Sequence, residues 1–283
     1  MTTIPTDDSS TAVGRWRSMV EADREQTARV ASQQAGGPGQ RWSGGRAETF
    51  RADPHRVGDP NVDLIASFQR PDQTWLDVGA GAGRLTLPLA LNCKHVYAVE
   101  AAPPMAAILT EQAVAAGISN VTLIEGRWQD VDAPTADIAL CFNVMNFVPD
   151  IDLFIAKLNQ HAHERVLVVL MKDSPMANVA PFWRLVHGAE PAQPPALPEL
   201  LAVLWELGFY PDVQMLPPRY RVSKDRETVR MLMADRLGVV PGSPEEGRLE
   251  LALDELLVPI EGGFAVRGAE WFREALVTWR PQA

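Results

Sequence analysis

Asp77, Gly79, Gly81 and Gly83 stand in an acid-x-Gly-x-Gly-x-Gly run with Ala80 inside it, followed at once by Arg84. Glycine serves where backbone takes a positive φ or comes close to a ligand, so three of them at alternate positions suit a loop laid against a nucleotide-like molecule. A pyrophosphate fingerprint has its third glycine three residues after the second. Here Gly83 comes one residue early and Arg84 holds that place. Asp77 lies just before the loop, where a carboxylate repels a pyrophosphate but holds a cationic group. These residues therefore suit a cationic, phosphate-free ligand.

The loop needs a strand before it and a helix after it. Trp75, Leu76 and Val78 read as a short buried strand, and the apolar run 85–91 reads as a helix. Strands at 95–99, 121–124, 138–142 and 166–171 then alternate with helices at 103–116 and 151–160. That rhythm predicts an α/β fold, a doubly wound, mainly parallel sheet with helices on both faces. Residues 1–11 read as disordered, and a helix is expected over 13–34. A glycine-rich loop around Trp42 and a short helix at 47–51 come next, and Asp59-Pro60 then opens another helix. Beyond the fifth strand, a helix over 175–188, a proline-rich connector over 190–198 and a helix over 199–207 ending at Gly208 are expected. A strand at 213–216, amphipathic helices at 226–237 and 245–257, and a last strand at 275–279 complete the chain. The organisation expected is a helical cap over 12–70 and a sheet domain over 71–283 carrying a helical insertion at 222–262. Neither inserted helix offers enough apolar surface to stand alone.

The acid-glycine run resembles the first motif of class I S-adenosylmethionine-dependent methyltransferases, and the resemblance extends over 74–171, about a third of the chain. It implies a Rossmann-like fold in which Gly79, Ala80, Gly81 and Gly83 lie against the amino acid part of S-adenosylmethionine, with Asp77 near its ammonium group. Ligands of open parallel sheets sit beyond the carboxyl ends of the strands. Glu100 ends the second strand, where a carboxylate can accept from both ribose hydroxyls, and the family assigns that role to the matching acid. Many family members place an adenine-binding acid after the glycine that ends the third strand. This chain has Arg127 there. Arg127 and Trp128 are expected to clasp the adenine face, with Asp130 as a polar contact; a structural tryptophan is the alternative. Asn143 is placed by the resemblance near the sulfonium, and Asn146 or Phe147 on the acceptor side, with a core role as the alternative for Phe147.

Methyl transfer from a sulfonium is an in-line displacement, so the protein chiefly aligns its reactants and adds a base if the acceptor carries a proton. Histidine is the base nearest neutrality. Of the five histidines, His95 starts a strand, while His161 and His163 follow a helix and read as surface residues. His187, beside Trp183 and before Gly188, is preferred over His55 as the candidate base. A histidine favoured by the dipole at a helix C-terminus is the alternative. No Ser-His-Asp order, metal-ligand spacing or carboxylate pair stands out.

The 283 residues carry a formal charge of −10 and a pI near 5.0, which weighs against a nucleic acid partner. Cys93 and Cys141 lie in apolar surroundings and read as buried thiols of a cytoplasmic protein. No run reaches 18 uninterrupted apolar residues and the first ten residues lack a signal-peptide pattern, so no membrane association is expected. The function expected is transfer of a methyl group from S-adenosylmethionine to a small-molecule acceptor at O, N or C. A protein that binds the cofactor or its product without transfer is the alternative, and the glycine spacing disfavours an NAD-type oxidoreductase. The oligomeric state is not legible.

Overall fold

The computed structural model describes residues 10–33 and 45–282. Residues 1–9, Trp42 and most of its glycine-rich loop lie outside them. Thr11, expected in a disordered tail, instead opens the first helix, its hydroxyl accepting from Gly14 N at 2.9 Å. The elements in order are α1 (Ala12–Gln33), α2 (Gly45–Glu48), α3 (Pro60–Ala66), β1 (Thr74–Val78), α4 (Thr86–Ala90), β2 (His95–Glu100), α5 (Pro103–Ala115), β3 (Val121–Glu125) and β4 (Ala136–Phe142). A short 3-10 turn (Met145–Phe147) leads into α6 (Ile151–His161), β5 (Ala162–Met171), α7 (Ala180–His187), α8 (Leu197–Glu206), β6 (Asp212–Met215) and β7 (Arg219–Tyr220). The chain ends with α9 (Arg226–Leu237), α10 (Pro244–Leu256), β8 (Leu257–Ile260), β9 (Gly263–Val266), β10 (Trp271–Phe272) and β11 (Glu274–Trp279).

Seven strands form one sheet in the order β3-β2-β1-β4-β5-β11-β6. The pairs β1/β2, β1/β4, β2/β3 and β4/β5 are parallel, and β6 runs antiparallel to β11. Strands β1, β4 and β11 are buried along nearly their whole length, as strands covered on both faces must be. From β1 the chain winds outward to β2 and β3, then returns to the other side of β1 for β4 and β5. The strand order thus reverses between β1 and β4, and a crevice opens at such a switch point beyond the carboxyl ends.

The chain divides into two compact units, each built from three stretches. The sheet unit comprises 41–170, 204–216 and 275–283. Its principal apolar cluster joins Ile65 of α3, Trp75, Leu89, Val96, Leu140 and Leu167. The helical unit comprises 1–40, 171–203 and 217–274. Its core is formed by Phe182, Trp183 and Val186 of α7, Val229, Met233 and Leu237 of α9, and Leu249, Leu253 and Leu256 of α10.

This division differs from the one expected. The 12–70 stretch does not act as one cap: α1 packs Val30 against the helical core, while α3 packs Ile65 into the sheet core. The 222–262 insertion is likewise part of a larger unit, because α7 and α1 supply the apolar surface that α9 and α10 lack by themselves. Two small antiparallel sheets, β10 with β7 and β8 with β9, were not expected from the sequence. The helix expected over 175–188 starts only at Ala180 and ends at Gly188, whose φ of 68° provides a left-handed cap.

Candidate functional site

The loop after β1 begins with Gly79 N and Ala80 N both donating to Val99 O of β2, at 2.9 and 3.0 Å. These bonds turn the chain sharply at the carboxyl end of the sheet. Two glycines there have distinct reasons to be glycine. A Cβ on Gly79 would stand 2.3 Å from Val144 Cγ2, so the β1 and β4 ends meet too closely for a side chain. Gly81 has φ +57° and nothing within 4 Å of where its Cβ would stand. A glycine loop with open space over its middle residue is a cradle for a ligand laid against backbone.

Glu100 fastens this cradle. Its Oε2 accepts from Gly81 N at 2.7 Å and its Oε1 from Ala102 N at 2.7 Å. One carboxylate at the end of β2 thus holds the loop of β1 and the turn into α5, and each oxygen keeps a further lone pair for a ligand hydroxyl. Asp77 is 2% exposed, and Thr86 Oγ1 of α4 donates to its Oδ2 at 2.6 Å. Burial pushes its pKa up to about 6, against the Thr86 bond and with the nearby Glu100 charge adding to the rise. A buried carboxylate so poised gains most from a cation that settles beside it. Behind it, burial and the Asp77 charge also push the Cys141 thiol well above its ordinary range, and both Cys93 and Cys141 are buried without a disulfide.

On the β4 side of the switch point, Asn143 has φ 53°, in the left-handed region that asparagine tolerates better than most residues. Asn143 N donates to Val169 O of β5 at 2.9 Å, so the chain leaves the sheet just where the crevice opens. Asn146 and Met145 on the following turn are buried.

The adenine clasp expected of Arg127 and Trp128 is not what the structure shows. Trp128 is buried against Phe154 and His161 of α6, with Lys157 Nζ 4.5 Å from its ring centre. Lys157 also donates to Trp128 O and Val131 O at 2.6 Å each. An indole committed to that packing anchors the turn after β3 and has no face left for a ligand. Arg127 is exposed and lies 3.6 Å from Asp130. Nor does His187 stand as a base: its Nε2 bonds Leu237 O at 3.0 Å and its ring lies 4.5 Å from that of Trp183. A carbonyl partner requires Nε2 to carry the proton, so the side chain ties α7 to the end of α9 within the helical unit.

Residues that the sequence did not single out complete the cradle. Arg56 Nη2 donates to Arg84 O at 2.7 Å, and Arg56 Nε and Arg84 Nη2 meet Asp59 Oδ2 at 3.1 and 2.9 Å. Against the effect of burial, the two guanidinium groups hold the Asp59 carboxyl below its usual range, and the same side chain caps α3 through Asn61 N. Gln112 of α5 donates to Ala82 O at 2.7 Å and accepts from Ala52 N at 3.2 Å, and Ala47 packs on Ala82, Met105 and Ile108. Residues 45–59 thus form a strap tied to the loop carbonyls at 82 and 84. The only trace in the sequence was Arg84 in the place of a third glycine and the Asp59-Pro60 cap.

Comparison with known proteins agrees with this geometry. Residues 76–164 match the model of a family described as a methyltransferase domain. A probable ribosomal RNA small subunit methyltransferase A of Methanosphaera stadtmanae is 32% identical over 95 residues, 32% of this chain and 35% of that protein. The chain spans less than half the length of the curated relatives it matches. Among solved structures, a putative methyltransferase of Bacillus halodurans covers 80% of this chain and 99% of its own at 14% identity and a TM-score of 0.57. The cyclase SpnF covers 96% of this chain and 97% of its own at 19% identity and a TM-score of 0.51. At such identities a structural likeness shows the fold alone. Residues 76–164 thus match a methyltransferase domain, and the sheet that carries them has the Rossmann-like strand order.

Proposed function

We propose that the protein transfers a methyl group from S-adenosylmethionine to a small organic acceptor. The observation that carries the reading is the open cradle at Gly81, fastened by Glu100 and backed by the buried carboxylate of Asp77. Gly79, Ala80, Gly81 and Gly83 offer backbone to the amino acid portion of the cofactor, Asp77 offers negative charge to its ammonium, and Glu100 offers its remaining lone pairs to the ribose. Asn143 is assigned to the crevice beside the sulfonium. Bound there, the cofactor supplies a methyl group already activated by the sulfonium charge. The protein's work is then alignment and exclusion of water, and His187 is not required as a base.

Titration calorimetry with S-adenosylmethionine, S-adenosylhomocysteine and NAD tests the reading. The first two should bind and NAD should not; tight NAD binding without sulfonium binding would overturn it. Gly81→Val should fill the cradle and lower S-adenosylhomocysteine affinity at least tenfold. An affinity equal to wild type would show that the ligand lies elsewhere.

A second reading, an RNA acceptor, draws on the ribosomal RNA relatives, which share roughly a third of this chain. The charge of −10 argues against it, because RNA binding is dominated by neutralisation of phosphates. Transfer of labelled methyl groups into total RNA, with none into the small-molecule fraction of a cell extract, would decide for RNA.

A further inference from the structure

The helical unit carries an open surface pocket of about 370 Å³ lined by Lys172, Asp173, Pro218, Trp271, Phe272 and Arg273. Its two rings come from the β7/β10 ladder, where Trp271 faces Tyr220 and Phe272 faces Arg219. The Trp271 and Tyr220 rings have centroids 3.5 Å apart, yet Trp271 remains 51% exposed. One face of a large indole is thus braced from behind while the rest is offered to the pocket. Lys172 follows β5 directly and is fixed to the ladder by its N–H, which donates to Arg273 O at 2.8 Å.

The charges around this aromatic floor are one-sided. Lys172 and Arg273 line the pocket, and outside its lining Arg219 and Arg221 lie 4.8 and 5.0 Å from the Phe272 ring centre. Against these four cations stand two carboxylates, Glu274 bonded to Arg219 and Asp173 at 3.3 Å from Lys172. Beside the pocket, burial depresses the pKa of Arg221, with Asp173 and Glu274 opposing. A chain with ten excess negative charges thus keeps an open pocket of small-molecule size in which Lys172 and Arg273 outnumber Asp173 beside two aromatic rings. A cationic guest would meet a Phe272 ring already engaged by two guanidinium groups and would face Lys172 and Arg273. A planar anion gains a stacking surface and two flexible cations.

We propose that this pocket binds a planar aromatic carboxylate, its ring on Trp271 and its carboxylate between Lys172 and Arg273. The site lies wholly within the helical unit and stands independently of the methyl-transfer reading.

The test uses the full chain and three probes with one ring system: 2-naphthoate, neutral 2-naphthalenemethanol and cationic 2-naphthylmethylammonium. By calorimetry, 2-naphthoate should bind one site at least tenfold more tightly than either of the others. Lys172→Gln with Arg273→Gln, and separately Trp271→Ala, should each weaken it at least tenfold while S-adenosylhomocysteine binds as in wild type. No binding of naphthoate, equal binding of the neutral alcohol, tighter binding of the cation, or unchanged affinity in the variants would overturn the proposal. So would displacement of naphthoate by S-adenosylhomocysteine. Should a variant fail to fold, the ranking of the three probes on wild type decides alone.

Discussion

Asp77 and Glu100 are both carboxylates at the mouth of the sheet, but their surroundings give them different work. Asp77 is buried against Thr86, which bonds it through its hydroxyl and its backbone, and burial lifts its pKa from 3.8 to about 6. In the unfolded chain it loses its proton near pH 4, and in the folded protein only near 6. Between those values the folded state holds more protons, so its stability falls as pH rises through this window. The loss is on the order of 3 kcal/mol once Asp77 is fully ionised. Asp77→Asn escapes it: urea unfolding should give equal midpoints below pH 4 and a more stable variant at pH 8. Equal stability at pH 8 would mean that the ionised carboxylate is not penalised. The same variant should bind S-adenosylmethionine at least tenfold more weakly, a trade of stability against function expected where a charge is kept buried for a ligand. Glu100→Ala works in the opposite sense, because it leaves Gly81 N and Ala102 N without their acceptor. It should lower both thermal stability and cofactor affinity, each by roughly 1 to 3 kcal/mol; scanning calorimetry and ligand titration measure the two.

Among the elements, the strap over 45–59 is held by partners far away in the chain. Arg56→Ala removes its bond to Arg84 O and half of the clamp on Asp59. Amides of 45–59 should then exchange with deuterium faster, while those of β1 and β4 keep their protection. Equal acceleration in the strands would indicate global destabilisation instead. The strap also marks the limit of sequence reading. Apolar runs and turn residues made the five parallel strands and their helices legible, because each element's own pattern carries its period. The same local signals pointed to Asp77, the glycines and Glu100. What they did not reveal was who bonds to whom: that Glu100 holds Gly81, or that Gln112 bridges 52 and 82. Trp128 illustrates the same gap, since an indole suits an adenine or a core equally well until Phe154, His161 and Lys157 are placed around it. The β7/β10 ladder escaped notice because its strands are two residues each and some fifty residues apart in the chain, too short for any alternation to show.

For the whole molecule, charge sets what it meets in solution. A formal net charge of −10 sets an average field that opposes a polyanion, and no helix among the described residues is long and apolar enough to cross a membrane. Filter binding of total RNA at 50 mM salt should therefore show no saturable association, and tight binding with a steep salt slope would support the RNA reading. The way the chain is threaded carries a different consequence, for anyone who would divide the molecule. It passes from one compact unit to the other after residues 40, 170, 203, 216 and 274, so neither unit is a continuous piece of polypeptide. A gene fragment encoding only the family-matched segment 76–164 would end within β5, before Leu167 and Val169, and would omit β11 and β6. Such a peptide would expose the broken edge of a buried sheet, an invitation to aggregate rather than a minimal enzyme.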